Sequence, residues 1–497
     1  MRKQTLVLWL IVILSGALAL AMLTKGHNWG DDFAAYIMQA AGILHGTVRE
    51  PVAHTAFTMR ESSRAYGPIA APWGFPTLLA PFYLACGGLN IFCLKLINVL
   101  FFAFFLIAWF ALLTRRLSLV DSAIALSILA FSPALLSFQD NVLSDIPFLF
   151  FSTLSILLID KVIVAPAKPE GSLGGNVWLG VVLFVAFSVR PNGILLVPTL
   201  FLTQALLYSC QRSPRPRWRR VLPIALIPHL VFGVLALALL MTLPSGEASY
   251  LSHFKALTPE VLFDNVSAYA VLLIDFFESV PFPLRVILCG ALLPCLIGGV
   301  VLHCKDDFHA LIYVGLTLLL YIAWPLQEGL RYLFPLLPFL IYFAYRGMQA
   351  GALALTERDR RAGQLLTRAV WVAVLAIFAL TSFRLARANL RNQRATDDGP
   401  FEPSSTEMFD VIKTRTAPDS VVLFLKPRAM RLMTGRDALL IDRCDQLGRG
   451  HYAVIQKKRG AVDQVRPEDI TTCNKALDVT PIFENQQYVV YRILPKR

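Results

Sequence analysis

Leu6-Val7-Leu8-Trp9-Leu10-Ile11-Val12-Ile13-Leu14-Ser15-Gly16-Ala17-Leu18-Ala19-Leu20-Ala21-Met22-Leu23 is an unbroken run of 18 mostly apolar residues behind Met1-Arg2-Lys3. A basic start before an apolar run also marks a secretory signal. A signal's apolar region, however, spans only about 7–15 residues and ends at a small-x-small cleavage site. This run is longer, and Thr24-Lys25-Gly26-His27 offers no such site. It reads as a transmembrane helix, which needs about 20 residues. Ten further runs follow, at 91–113, 120–138, 146–160, 176–189, 192–209, 221–243, 285–303, 308–325, 332–345 and 369–383. The expectation is a mainly α polytopic membrane protein with about eleven transmembrane helices over residues 1–397. The stretch 75–88 is apolar but short and carries prolines, so it reads as re-entrant or interfacial.

Composition agrees. Of 497 residues 56% are hydrophobic and 16% charged, where a soluble domain carries about 25% charged. The net charge of +13 could suggest nucleic acid, but the basic residues gather in short stretches between apolar runs. Lys and Arg placed so set membrane orientation, and nucleic acid is excluded as a partner. The loop 211–220 has five arginines and no acid, Arg115 and Arg116 close the second span, and 346–368 has five arginines against two acids. All three fall inside if the N-terminus is cytoplasmic. The opposite loops differ: 24–67 has four basic and four acidic residues, and 244–284 has one Lys against five acids. One feature opposes this map. Arg384, Arg387, Arg391 and Arg394 follow the last span and fall outside; an even count of spans places them inside.

The tail 398–497 changes character. Short β-like runs at 421–425, 438–441, 452–455 and 488–493 follow helical spacing over 405–413. This predicts a small α/β domain on the extracytoplasmic side of the plasma (inner) membrane. Cys86, Cys93, Cys210, Cys289, Cys295 and Cys304 lie in or beside apolar runs and read as buried apolar residues. Cys444 and Cys473 could pair in an oxidising compartment.

Acids stand at two outer helix mouths. The first outer loop, 24–90, opens with Trp29-Gly30-Asp31-Asp32-Phe33-Ala34-Ala35-Tyr36. An acid there can deprotonate an acceptor hydroxyl or bind a divalent metal ion, or simply cap a helix starting near Phe33. The second outer loop has Ser144-Asp145-Ile146-Pro147, where Asp145 again is either a chemical group or a cap. Arg190-Pro191-Asn192-Gly193 and Gln327-Glu328-Gly329-Leu330-Arg331-Tyr332 bring arginines to the same face. A guanidinium suits phosphate oxygens, and snorkelling to the interface is the structural alternative. Arg64, Tyr36 and Tyr332 complete the candidate substrate-binding residues. His27, His45, His54 and His253 read as loop residues.

These segments in this order resemble the C superfamily of glycosyltransferases (GT-C). The resemblance is strongest to the bacterial branch that includes the lipid A aminoarabinose transferase, and to protein O-mannosyltransferases. It covers residues 1 to about 345 in layout. It implies transfer of a sugar from a polyprenyl-phosphate donor to a lipid, glycan or protein acceptor outside the cytoplasm. The family carries an Asp-Glu pair in its first outer loop. Alignment on Tyr36 and Ala40 makes Asp32 the base, while alignment on the acidic pair itself selects Asp31. Asp145 matches the family's second-loop acid, and Arg331 and Arg190 are the expected phosphate ligands. The metal requirement stays open. A transporter or flippase of lipid-linked sugars is the rival class, and a scaffold for the tail is the third. The acids' location in outer loops, away from the midplane, speaks against transport.

Overall fold

The computed structural model describes all residues except 1, 65–66, 166–171, 211–217, 246–256, 326, 328, 357–358, 397, 460–461, 473 and 497. Most of the arginine loop 211–220, together with His253, Glu328 and Cys473, therefore lies outside the described residues.

The chain opens with α1 (Arg2–Met22), which leads into an outer layer of α2 (Asp32–His45), α3 (Arg49–Glu61) and α4 (Gly74–Ala85). A helical array follows: α5 (Ile91–Leu94), α6 (Leu96–Leu113), α7 (Leu119–Ala130), α8 (Pro133–Phe138), α9 (Asp145–Ile159), α10 (Leu173–Val189), α11 (Leu196–Cys210) and α12 (Trp218–Thr242). It is completed by α13 (Pro259–Asp275), α14 (Phe282–His303), α15 (Phe308–Ala323), α16 (Leu337–Leu355) and α17 (Arg360–Arg391). Among the described residues seven helices are long and apolar enough to cross a membrane, at Lys3–Met22, Ile91–Leu113, Asp145–Val164, Pro191–Ser209, Pro223–Thr242, Phe282–His303 and Arg360–Arg391.

The other four expected spans differ from full-length helices. Pro133 follows a break at Phe131 and Ser132, dividing 120–138 into α7 and α8. Helices α10 and α15 are apolar but hold only 17 and 16 residues. The segment expected at 332–345 starts as a 3₁₀ turn, Gly329–Leu333, and continues as α16. The interfacial piece at 75–88 is the 12-residue α4 with Pro81 inside it. Helix α13 lies in a loop the sequence reading left without structure.

Two glycines let helices touch backbone to backbone. A Cβ on Gly347 of α16 would lie 1.7 Å from the carbonyl oxygen of Cys295, and one on Gly299 of α14 would lie 1.9 Å from that of Phe343. Small residues permit this close approach of membrane helices.

The C-terminal unit comprises α18 (Pro403–Arg415), α19 (Pro427–Thr434) and five strands: β1 (Val421–Leu423), β2 (Asp437–Leu439), β3 (Tyr452–Gln456), β4 (Leu477–Glu484) and β5 (Tyr488–Pro495). The strand order is β2-β1-β3-β5-β4. Strand β1 is parallel to both neighbours, and β5 is antiparallel to β3 and β4. The four β-like runs of the sequence are β1, β2, β3 and β5.

The sheet unit sits on the first outer loop. Thr58 donates to the Ala438 carbonyl at 2.9 Å, and the Ser63 N–H donates to that of Leu440 at 2.9 Å. Trp29 packs its ring 5.6 Å from Phe424. Arg394 donates to the Leu20 and Leu23 carbonyls at the exit of α1. Hence Arg394, just beyond α17, lies at the same end as the first loop. At the other end Arg115 and Arg116 meet Asp160, Arg116 also meets Asp307, and Arg368 meets Asp121.

The cysteine expectation needs correction. Cys86 and Cys93 form a disulfide, Cα–Cα 5.8 Å. Gly87 and Gly88, at φ 70° and 104°, reverse the chain between them, a conformation open to glycine at little cost. Cys444 is also disulfide-bonded, whereas Cys289, Cys295 and Cys304 are free.

Candidate active site

A cavity of about 430 Å³ opens between the first outer loop, the second outer loop and the sheet unit. Asp31, Asp32, Arg64, Asn141, Arg331 and Lys426 are among its lining residues. The wall is local chemistry at helix ends. Asp32 opens α2, Asn141 precedes α9, Arg331 lies in the 3₁₀ turn before α16, and Lys426 precedes α19.

The two adjacent carboxylates have different surroundings. Asp31 is the N-cap residue of α2 but makes no side-chain capping bond there. Its Oδ1 instead accepts the backbone N–H groups of Arg428 and Ala429 at 3.1 and 3.3 Å, so it caps α19 of the sheet unit. Burial pushes its carboxyl above the ordinary range, against the opposing charges of Arg428 and Lys426. The Asp32 side chain is 47% exposed and meets the Arg428 Nη1 at 3.4 Å. Arg428, 3% exposed, also donates to the Pro68 carbonyl at 2.5 Å. Asp31 thus fastens the two parts of the molecule, and Asp32 keeps its carboxylate open to the cavity.

Behind Asp32, Tyr36 is buried with its hydroxyl 3.0 Å from Ser144 Oγ. Burial, then the Asp32 charge, raise the Tyr36 phenol above its ordinary value, so it stays protonated. Phe75 stands edge-on to Tyr36 at 4.8 Å and is fully buried, which makes it a packing residue. Asp145 and Arg190 form a salt bridge with one another, and the Arg190 guanidinium lies 5.7 Å from the Tyr332 ring centre. Tyr332 stacks on Tyr321 at 5.1 Å. This group lies beside the cavity and not in its lining. Arg64 lines the cavity and pairs with Asp463 and Asp442, tying loop to sheet unit.

His27 is buried and stacks on Phe33 at 4.2 Å. Its Nε2 accepts the Val142 N–H at 3.0 Å, and its Nδ1 lies 2.7 Å from the Asn28 carbonyl. Burial lowers its pKa to about 4. His27 is therefore a neutral bolt between the two outer loops. Lys95 does similar work from the mouth of α6. Its Nζ lies 2.6 Å from Asp140 and donates to Thr24 at 3.0 and 3.1 Å. Sequence reading singled out neither Lys95 nor Arg428. A lone Lys inside Ile91-Phe92-Cys93-Leu94-Lys95-Leu96 is a signal that could have found the first. Among the described residues no group of three His, Cys, Asp or Glu side chains could hold a metal ion.

No protein-family model matches the chain, and no curated protein sequence matches it. Solved structures do. The crystal structure of ArnT from Cupriavidus metallidurans bound to undecaprenyl phosphate is 12% identical with a TM-score of 0.60, covering 97% of each chain. The archaeal oligosaccharyltransferase AglB from Archaeoglobus fulgidus, in complex with an inhibitory peptide and a dolichol-phosphate, is 9% identical with a TM-score of 0.53. That match covers 99% of this chain and 74% of AglB. An Archaeoglobus fulgidus oligosaccharyltransferase tethered to an acceptor peptide is 10% identical with a TM-score of 0.52, over the same shares. Over nearly its whole length, then, the chain has the fold seen in ArnT and in these oligosaccharyltransferases.

Proposed function

We propose that the chain is a membrane glycosyltransferase that moves a sugar from a polyprenyl-phosphate donor to an acceptor on the extracytoplasmic face. The observation that carries this reading is the Asp32 carboxylate, open to a cavity that Arg331 also lines. The fold supports it, because the similar structures hold undecaprenyl phosphate or a dolichol-phosphate.

In this mechanism Asp32 takes the proton of the acceptor hydroxyl as its oxygen attacks the anomeric carbon. The bond from that carbon to the phosphate oxygen breaks, and the lipid phosphate leaves with the electron pair. Charge grows on the phosphate during this step, so a fixed Arg331 stabilises the transition state more than the ground state. Arg190, neutralised by Asp145, serves the wall behind it, with Tyr36 and Tyr332. Among the described residues no three-ligand cluster fits a divalent ion.

The orientation belongs to the same proposal: eleven crossings, the N-terminus in the cytoplasm, and residues 398–497 a separate domain outside. Disulfides on Cys86, Cys93 and Cys444 favour an oxidising compartment at the first-loop end, and the arginines Arg115, Arg116 and Arg368 favour the cytoplasm at the other.

The test is transfer of radiolabelled sugar from polyprenyl-phosphate donors in membranes containing the wild-type chain. A labelled acceptor with inverted anomeric configuration is expected from a single displacement. Retained configuration contradicts the mechanism. Donor lipid that crosses the bilayer without labelling any acceptor favours a transporter.

A further inference from the structure

The charges around the cavity do not all balance within the protein. Asp31 is held by the α19 backbone, Asp32 faces Arg428, and Arg64 is paired with Asp463. Lys426 differs. It lines the cavity and is half-buried; its charge reaches the buried Asp31, which Arg428 already opposes, and among the described residues no carboxylate forms an ion pair with its ammonium. Its position is nonetheless fixed. It is followed by Pro427, which opens α19, and its carbonyl accepts the Met430 N–H at 3.0 Å. Two residues on, Arg428 anchors the segment to Asp31, Asp32 and the Pro68 carbonyl. A half-buried lysine that lines a cavity and forms no ion pair gives up hydration and gains most when an anion enters.

We infer that Lys426 binds the phosphate of the lipid-linked donor, so that the C-terminal sheet unit contributes a substrate ligand to the cavity that Arg331 lines from the membrane part. This deepens the transferase reading and rests on it. It gives the sheet unit a part in recognition: the donor phosphate is gripped only when α19 is docked on Asp31. The three hydrogens of an ammonium suit a phosphate whose oxygens turn as the sugar departs, while the planar guanidinium holds a fixed pair.

The full chain in phosphatidylcholine nanodiscs is titrated with undecaprenyl phosphate and with uncharged undecaprenol, for wild type, Lys426→Gln and Lys426→Arg. Wild type is expected to prefer the phosphate lipid. Lys426→Gln loses about tenfold in affinity for it, the scale of one charged hydrogen bond. Undecaprenol affinity and thermal unfolding stay unchanged, and Lys426→Arg keeps most of the phosphate preference. Lys426→Met, which retains the apolar stem, replaces the Gln variant if that fails to fold. A wild type that prefers the phosphate lipid beside a Gln variant of equal affinity overturns the role of Lys426 and leaves the transferase reading standing. A wild type without that preference overturns both. Displacement of undecaprenyl phosphate by equimolar inorganic phosphate would overturn the assignment to a lipid-linked ligand.

Discussion

Asp31 and Asp32 are neighbours in sequence, but one carboxylate satisfies two backbone N–H groups of α19 while the other is open to the cavity. Asp31→Ala leaves those donors buried without an acceptor and is expected to lower unfolding stability by about 1–3 kcal/mol, as read by thermal unfolding in detergent. A change of transfer rate with no change in melting would contradict that role. His27 gives a prediction with a sign. Its folded pKa of about 4 is below the ordinary 6.5. Its contribution is therefore fully present above pH 6.5 and lost as pH falls through about 4, up to roughly 3 kcal/mol. Acidification across that window should expose the two outer loops to hydrogen exchange, and His27→Gln should flatten the response. Asp32, Arg331 and Arg64, which the sequence places at helix mouths or in the first loop, all line the cavity. Sequence reading missed Arg428 because that residue lies nearly 400 positions from Asp31 and Asp32, which it approaches, and no local pattern joins such residues. It treated Asp145 and Arg190 as separate chemical groups, whereas the fold pairs them.

Among the elements, α14 and α16 depend on glycine at their contact. Gly347→Ala forces a methyl against the Cys295 carbonyl, and overpacking of this kind costs about 1–3 kcal/mol. A lowered melting temperature with the C-terminal unit still docked is the expected result, seen by unfolding together with limited proteolysis. The helices themselves were legible, since each expected run contains one, but their lengths were not. Hydropathy marks an apolar stretch, and a Ser-Pro break or a 3₁₀ start within it depends on packing. Strand β4 was missed for a related reason. Its Pro481 argues against a strand, and an edge strand tolerates it. The Cys86–Cys93 disulfide was missed because apolar surroundings argue for a buried thiol, while the two glycines that close the turn carry no hydropathy signal.

At the scale of the whole molecule, the membrane part and the sheet unit meet through a few side chains, with Arg428 at the centre. Arg428→Ala should leave both parts folded but loosen their docking, so that protease cuts near 398–402 faster than in wild type. Unchanged cleavage would mean that Trp29 and the Thr58 and Ser63 hydrogen bonds hold the unit without it. Counting runs left the arginines after α17 at odds with those elsewhere; the fold places Arg394 beside the exit of α1. The claim that joins these scales is that Asp32 is the base. The measurement that tests it most directly is the rate of sugar transfer from a polyprenyl-phosphate donor in proteoliposomes, for wild type, Asp32→Asn and Asp31→Asn at equal protein. The account predicts that Asp32→Asn loses a factor of about 10²–10⁴, the usual contribution of a general base, with melting unchanged and Asp31→Asn retaining measurable transfer. Wild-type rates in Asp32→Asn, with transfer lost only in Asp31→Asn, would contradict it.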